Sequence, residues 1–157
     1  MSKKSAKKAP AEIINRRAPY EYHFVQEYVA GIALTGTEVK SLRAGNANLT
    51  DAYCVFEQGE LWIRNLHIAE YDYGSDQNHD PRRLRKLLLR KSELRKLERR
   101  VREKGFTIVP VKIAFNERGF AKVHIALAVG KKAFDKRETI KQRDEKRQLD
   151  RLKKIYK

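Results

Sequence analysis

The sequence predicts a mainly β protein with helices added. It reads as a small antiparallel, partly open barrel of five or six strands with about three embedded helices and a flexible basic C-terminal tail. Three observations predict it. Two pairs of apolar runs flank short Gly-containing turns, the signature of β-hairpins. A long stretch rich in aromatic and branched residues precedes them. The helical signals fall between strands without the regular alternation of a doubly wound fold. Length agrees: 157 residues, 41% of them apolar, suit one core with tails. The expected organisation is an arm over 1–19, a barrel over 20–133 and a tail over 134–157.

Met1 to Pro19 is rich in Lys, Ala, Ser and Arg and reads as a mobile basic arm, with Asn15, Arg16 and Arg17 at its junction with the fold. From Tyr20, YEYHFVQEYVAGIAL reads as a strand in which Gly31 suggests a bulge or bend. In TGTEVKSLRAGN, Thr35 and Glu38 have capping-box spacing and Gly45 is a suitable stop. A short helix between them turns Val39 and Leu42 to the core and places Lys40 and Arg43 on another side. DAYCVFEQGELWIRNLHIAEY is a hairpin with its turn at Glu57-Gln58-Gly59-Glu60.

DYGSDQNHD is a polar loop, and Asp80-Pro81 then reads as a helix start. Pro81 to Lys104 carries twelve Lys or Arg against three Glu and is expected as one helix or two, Ser92 capping the second. In that second part Leu94, Leu97 and Val101 repeat at helical spacing up to Gly105. FTIVPVKIAF, NERG and FAKVHIALAVG form another hairpin. Val111, Ile113 and Phe115 should point one way, as should Val123, Ile125, Leu127 and Val129, leaving Lys122 and His124 outside. Pro110 cannot donate to a ladder and belongs at an edge or bulge. The whole pattern suits an oligonucleotide-binding-like barrel.

The formal net charge of +16 and pI of about 10.1 attract polyanions, nucleic acid first among them. No apolar run approaches the roughly 20 residues of a membrane span. MSKKSAKKAP lacks the apolar stretch of a secretory signal, and the single Cys54 forms no internal disulfide, which fits the cytoplasm. No Gly-rich phosphate loop, HExxH or CxxC is present, so no cofactor and no metal are expected. His79 with Asp72, Asp76 and Asp80 allows a metal site to be imagined, but a capping Asp80 in a solvated loop is the simpler account. Cys54 reads as a core residue, and Glu38 as a cap rather than a general base. No catalytic residue emerges, and the protein is expected not to be an enzyme. Cations for phosphates gather instead in clusters: Lys40 and Arg43; Arg82, Arg83, Arg85, Lys86 and Arg90; Lys122; and Lys131 with Lys132; Asn15, Arg16 and Arg17 at the arm's junction are further candidates for RNA contact.

GIALTGTEVKSLRAGNANLTDAY, DPRRLRKLLL, NERGFAKVHIALAVGKK and DKRETIK, in this order from about Asn15 to the end, resemble the small protein B family of SsrA-binding, transfer-messenger-RNA-binding proteins. The resemblance implies a role in trans-translation. The protein would bind the tRNA-like part of transfer-messenger RNA, stand in for its missing anticodon arm and bring it to the A site of stalled ribosomes. It implies the ribosome as a partner and, through the shared RNA, elongation factor Tu and alanyl-tRNA synthetase; the protein itself is expected to be a monomer that binds no membrane. Carried over by position, the RNA-facing candidates are Lys40, Arg43, Leu88 and Lys122. Three consecutive Leu cannot all face inward on a helix, which leaves Leu88 for RNA or for a neighbouring helix.

Two positions depart from the family pattern. Val29 stands where a Glu is common, and Phe134 where a His is common. The tail, Phe134 to Lys157, holds ten Lys or Arg and five acids and too narrow an apolar stripe to dock as a helix. It is expected to be disordered when free and helical against ribosomal RNA. The resemblance places Phe134, Asp135, Lys136, Arg137, Ile140, Lys141, Arg143 and Lys153 in the empty message channel. A structural ribosomal protein that binds ribosomal RNA permanently is the main alternative, followed by a small nuclease and a membrane-surface protein.

Overall fold

The computed structural model describes residues 10–74, 77–103, 105–132, 143, 146 and 147. In chain order the elements are β1 (Ile13–Ile14), α1 (Ala18–Glu21), β2 (Tyr22–Ile32), α2 (Gly36–Arg43), β3 (Ala47–Asn48), β4 (Tyr53–Glu57), β5 (Glu60–Arg64), β6 (His67–Ile68), β7 (Arg85–Leu88), α3 (Lys91–Arg102), β8 (Phe106–Phe115) and β9 (Ala121–Gly130). Seven strands form one antiparallel sheet in the order β1-β8-β9-β2-β7-β5-β4, and β3 pairs with β6 in a second small sheet. β4 also packs against β8, so the main sheet curls into a half-barrel. Its hollow holds Leu42 from α2, Leu97 from α3, and Leu61, Ile63, Leu87, Ile113, Val123 and Ile125 from the strands, all buried.

Both hairpins form where turn chemistry places them. Gln58 and Gly59 have φ of 52° and 77°, and Glu57 pairs with Glu60, giving a two-residue turn whose twist matches its strands. In the second, Asn116 Oδ1 accepts from the amides of Arg118 (3.0 Å) and Phe120 (2.9 Å), and Gly119 takes φ 85°.

Two bulges sit in neighbouring ladders, one between Phe24 and Gln26 in β2 and one between Pro110 and Lys112 in β8. An extra residue in a strand inverts which face its side chains take. Ile113 and Phe115 therefore join the main core, while Val111 packs with Val109, Ala126, Ala128, Tyr22 and Phe24 in a second cluster. Strict alternation had put Val111 with Ile113. Pro110 stands at a bulge, as its missing N–H requires. The expected irregularity at Gly31 belongs to Val25 instead. Gly31 is where β2 passes from β9 to β7, opposite both Lys122 and Leu88.

The segment after Asp80 is not helical at its start. Asp80 Oδ1 accepts from the Arg82 amide at 3.0 Å in a local turn, and Arg85–Leu88 form strand β7 between β2 and β5. A helix there would leave β2 and β5 with no strand to join them, since β7 is the one that pairs with both. α3 begins at Lys91, with the Arg90 amide donating to Glu93 Oε1 at 3.2 Å, so Ser92 lies inside the helix rather than capping it. Leu94 and Leu97 are buried and Val101 packs on the core, as their spacing required.

The fold also starts earlier than residue 20. Ile13 pairs with Ile113, Asn15 is buried, and Ala18 opens the short helix α1, stretches that composition alone had assigned to the arm. Of the tail positions, Arg143 is described and exposed. Phe134, Asp135, Lys136, Arg137, Ile140, Lys141 and Lys153 lie outside the described residues, as do residues 1–9 of the arm.

Candidate nucleic-acid interface

Two sequence stretches, one around α2 and one around β7, meet in a buried ionic cluster. Thr35 caps α2. Its side chain accepts from the Glu38 amide at 3.4 Å, and its own amide donates to Glu38 Oε1 at 2.8 Å. The fully buried Glu38 carboxylate also accepts from Arg83 (Nη2 at 2.6 Å) and from Arg85 Nε. Burial alone would raise the Glu38 pKa. The hydrogen bonds from Arg83, the Thr35 backbone and Arg85 outweigh it and bring the value down to about 2. Arg85 is also fully buried and donates to the carbonyls of Leu66 (2.7 Å) and Pro81 (3.2 Å).

This overturns one expectation. Arg85 is not available to RNA, because its guanidinium is enclosed and engaged by Glu38 and by backbone oxygens. Asn15 is likewise structural. Its Nδ2 donates to the Pro110 carbonyl at 2.9 Å and its amide to the Val111 carbonyl at 2.9 Å, holding the β8 bulge. His79 Nε2 donates to the Ile68 carbonyl at 2.9 Å, and Nδ1 lies 2.8 Å from Thr37 Oγ1, so the histidine ties β6 to α2. Cys54 is buried in the core, where desolvation pushes its thiol pKa upward, away from nucleophilic use.

The remaining cations divide between two ends of the sheet. At one end Lys122, Gly31 and Leu88 lie in one row across β9, β2 and β7. Leu88 is 50% exposed, beside fully buried Leu87. It faces outward because β7 is a strand with alternating sides, not because a helix ran out of inner face. Val29 is also on the outer face, opposite His124, and is 53% exposed. Burial, and then the charge of Lys112, hold the His124 pKa below its ordinary value. Phe120, 62% exposed, closes a groove of about 420 Å³ with Leu88, Val39, Gly31 and Lys122. Arg43 borders the same end, donating to the Gly119 carbonyl at 3.0 Å and stacking 5.2 Å from the Phe115 ring. Lys40, on the same helix, lies over Tyr71 at 5.2 Å.

At the other end Lys131 and Lys132 line a groove with Tyr20 and Tyr22, and Tyr20 is 80% exposed. Arg17 is exposed and shared between Glu21 (3.7 Å) and Asp51 (3.8 Å); Arg16 is also exposed. Lys86 lies on the outer face, 3.5 Å from Glu60, and Arg90 is exposed at the start of α3. Phe120 and Tyr20 escaped the sequence reading. Phe120 was findable, since it stands two residues before outward-facing Lys122.

The chain matches the sequence profile of the family described as SmpB protein over residues 12–155. The SsrA-binding protein of Phocaeicola vulgatus is 58% identical over 146 residues, 93% of this chain and 97% of that protein. The SsrA-binding protein of Desulforamulus reducens is 56% identical over 137 residues, 87% of this chain and 85% of its own length. A solved structure described as "tmRNA-SmpB: a journey to the center of the bacterial ribosome" superposes with a TM-score of 0.65 at 57% identity, covering 76% of this chain and 84% of that one.

Proposed function

Since the chain belongs to the SmpB protein family, we propose that it binds transfer-messenger RNA and carries it to stalled ribosomes in trans-translation. The observation that carries this reading is the likeness, at 57% identity, to a protein solved with transfer-messenger RNA and the ribosome. The surface agrees with it. A basic half-barrel turns Leu88 and Lys122 outward on either side of Gly31, which suits RNA: apolar and flat groups meet exposed bases while cations neutralise phosphates. The activity is binding and delivery. Lys122, Leu88 and Lys40 contact the tRNA-like domain, and Lys131, Lys132, Arg16 and Arg17 extend the basic surface to the far end of the sheet.

The tail then acts separately. It becomes ordered on ribosomal RNA in an empty message channel, and an occupied channel excludes it. Two measurements test the scheme. Purified protein should bind the tRNA-like domain far more tightly than random transcripts of equal length at the same salt concentration; equal affinities would end the reading. A chain truncated before Lys136 should keep that binding and lose ribosome rescue, measured as peptide tagging on a stop-less message. Parallel loss of both would abolish the division of labour.

A further inference from the structure

We propose that Phe120 is a base-stacking residue and that, with Leu88, it forms a slot for one unstacked nucleobase of the bound RNA. The inference rests on the RNA-binding reading above and adds a residue and a mode of contact to it. Phe120 is exposed, yet its backbone is fixed from both sides. Its amide donates to Asn116 Oδ1 at 2.9 Å, its carbonyl accepts from the Asn116 amide at 2.9 Å, and the adjacent Gly119 carbonyl is held by Arg43 at 3.0 Å. An aromatic ring held out on a rigid turn loses little conformational freedom when a second ring stacks on it.

The groove it borders fits such a guest. Its floor is Gly31, the one position in the Lys122–Gly31–Leu88 row without a side chain. A Cβ added there would come within 3.3 Å of the Leu88 Cβ, so the trough exists because residue 31 is glycine. Apolar side chains form the walls, and Lys122 stands at the rim, where it meets the phosphate beside an inserted base. The occupant this combination fits is a nucleotide: a flat ring for the slot and an anion for the rim. Arg43 serves as a positioning residue, since its guanidinium is turned to the Gly119 carbonyl and the Phe115 ring.

The test compares F120A, F120W and wild type, each as the full chain, for binding to the tRNA-like domain of transfer-messenger RNA across a salt series. F120A should weaken binding roughly 10- to 100-fold. Its salt slope should stay that of wild type, because no phosphate contact is removed. F120W should restore affinity and show fluorescence quenching on binding beyond that of wild type, whose single Trp is Trp62. An F120A affinity within twofold of wild type, a changed salt slope, or an F120W protein that binds without added quenching would overturn the slot. If wild type itself did not prefer the tRNA-like domain, the functional reading would fail instead, and the two failures are distinguishable.

Discussion

The basic segment around β7 and the outer face of β9 look alike as sequence, both being cations set among apolar residues. The fold treats them in opposite ways. In the first, Arg85 is enclosed with Glu38 and Arg83 half-enclosed beside it, and their charge holds α2 against the β7 strand and the turn before it. In the second, Lys122 and the neighbouring Leu88 and Phe120 remain open to a ligand. The contrast shows that a motif's positive charge is no guide to its partner until burial is known. Buried charges must be satisfied internally, and only exposed ones remain for phosphates.

The largest effect should come from removing the buried anion. Glu38→Gln leaves Arg85 buried without a counter-charge and should cost about 3–5 kcal/mol of stability, read by urea melts. Lys122→Ala should leave those melts within about 0.5 kcal/mol of wild type. If Glu38→Gln melted like wild type, the clamp would not be structural.

A pH series gives the next effect. The Glu38 pKa lies below its unfolded value, so its contribution is fully present above about pH 4.5 and is lost as pH falls toward about 2. The linked loss is about 3 kcal/mol, and Glu38→Gln should flatten that part of the profile. A smaller loss, about 1–2 kcal/mol, is expected for Asn15→Ala, which frees the Pro110 carbonyl at the bulge. RNA affinity at fixed folded fraction should be unchanged by it, which separates Asn15 from the interface.

The smallest effect on stability should bring the clearest effect on binding. Lys122→Ala should lower the slope of log affinity against log salt by about one unit and weaken binding uniformly across RNA sequences. Arg85→Met, compared at equal folded fraction, should leave the slope untouched. A shifted slope for Arg85→Met would mean that the cluster opens to RNA and that Arg85 is not a purely internal charge.

Much of the fold was legible because it follows local rules. The Gln58-Gly59 turn, the Thr35–Glu38 capping box, the Leu94–Leu97–Val101 face of α3 and the outward Lys122 all came from spacing and residue type. The likeness to small protein B added the family and its RNA. The errors share one cause. Asp80-Pro81 carries a helix signal, yet Arg85–Leu88 became a strand because β2 and β5 needed a partner between them. Val111 left the core because a bulge reversed its side. Asn15 and Arg85 looked like surface cation or polar contacts and proved to be internal fastenings.

The order of residues alone was enough to determine the charge of the molecule, its hairpins, the capped helix α2 and the family to which it belongs, since each depends on near neighbours or on overall composition. Only the folded chain decided which cations are free. Whether a charge is exposed depends on residues far away in sequence, such as Glu38 for Arg85 at a separation of 47 residues, and on strand pairing that places Gly31 between Lys122 and Leu88. Burial is a property of the whole packing, and no single stretch of sequence contains it.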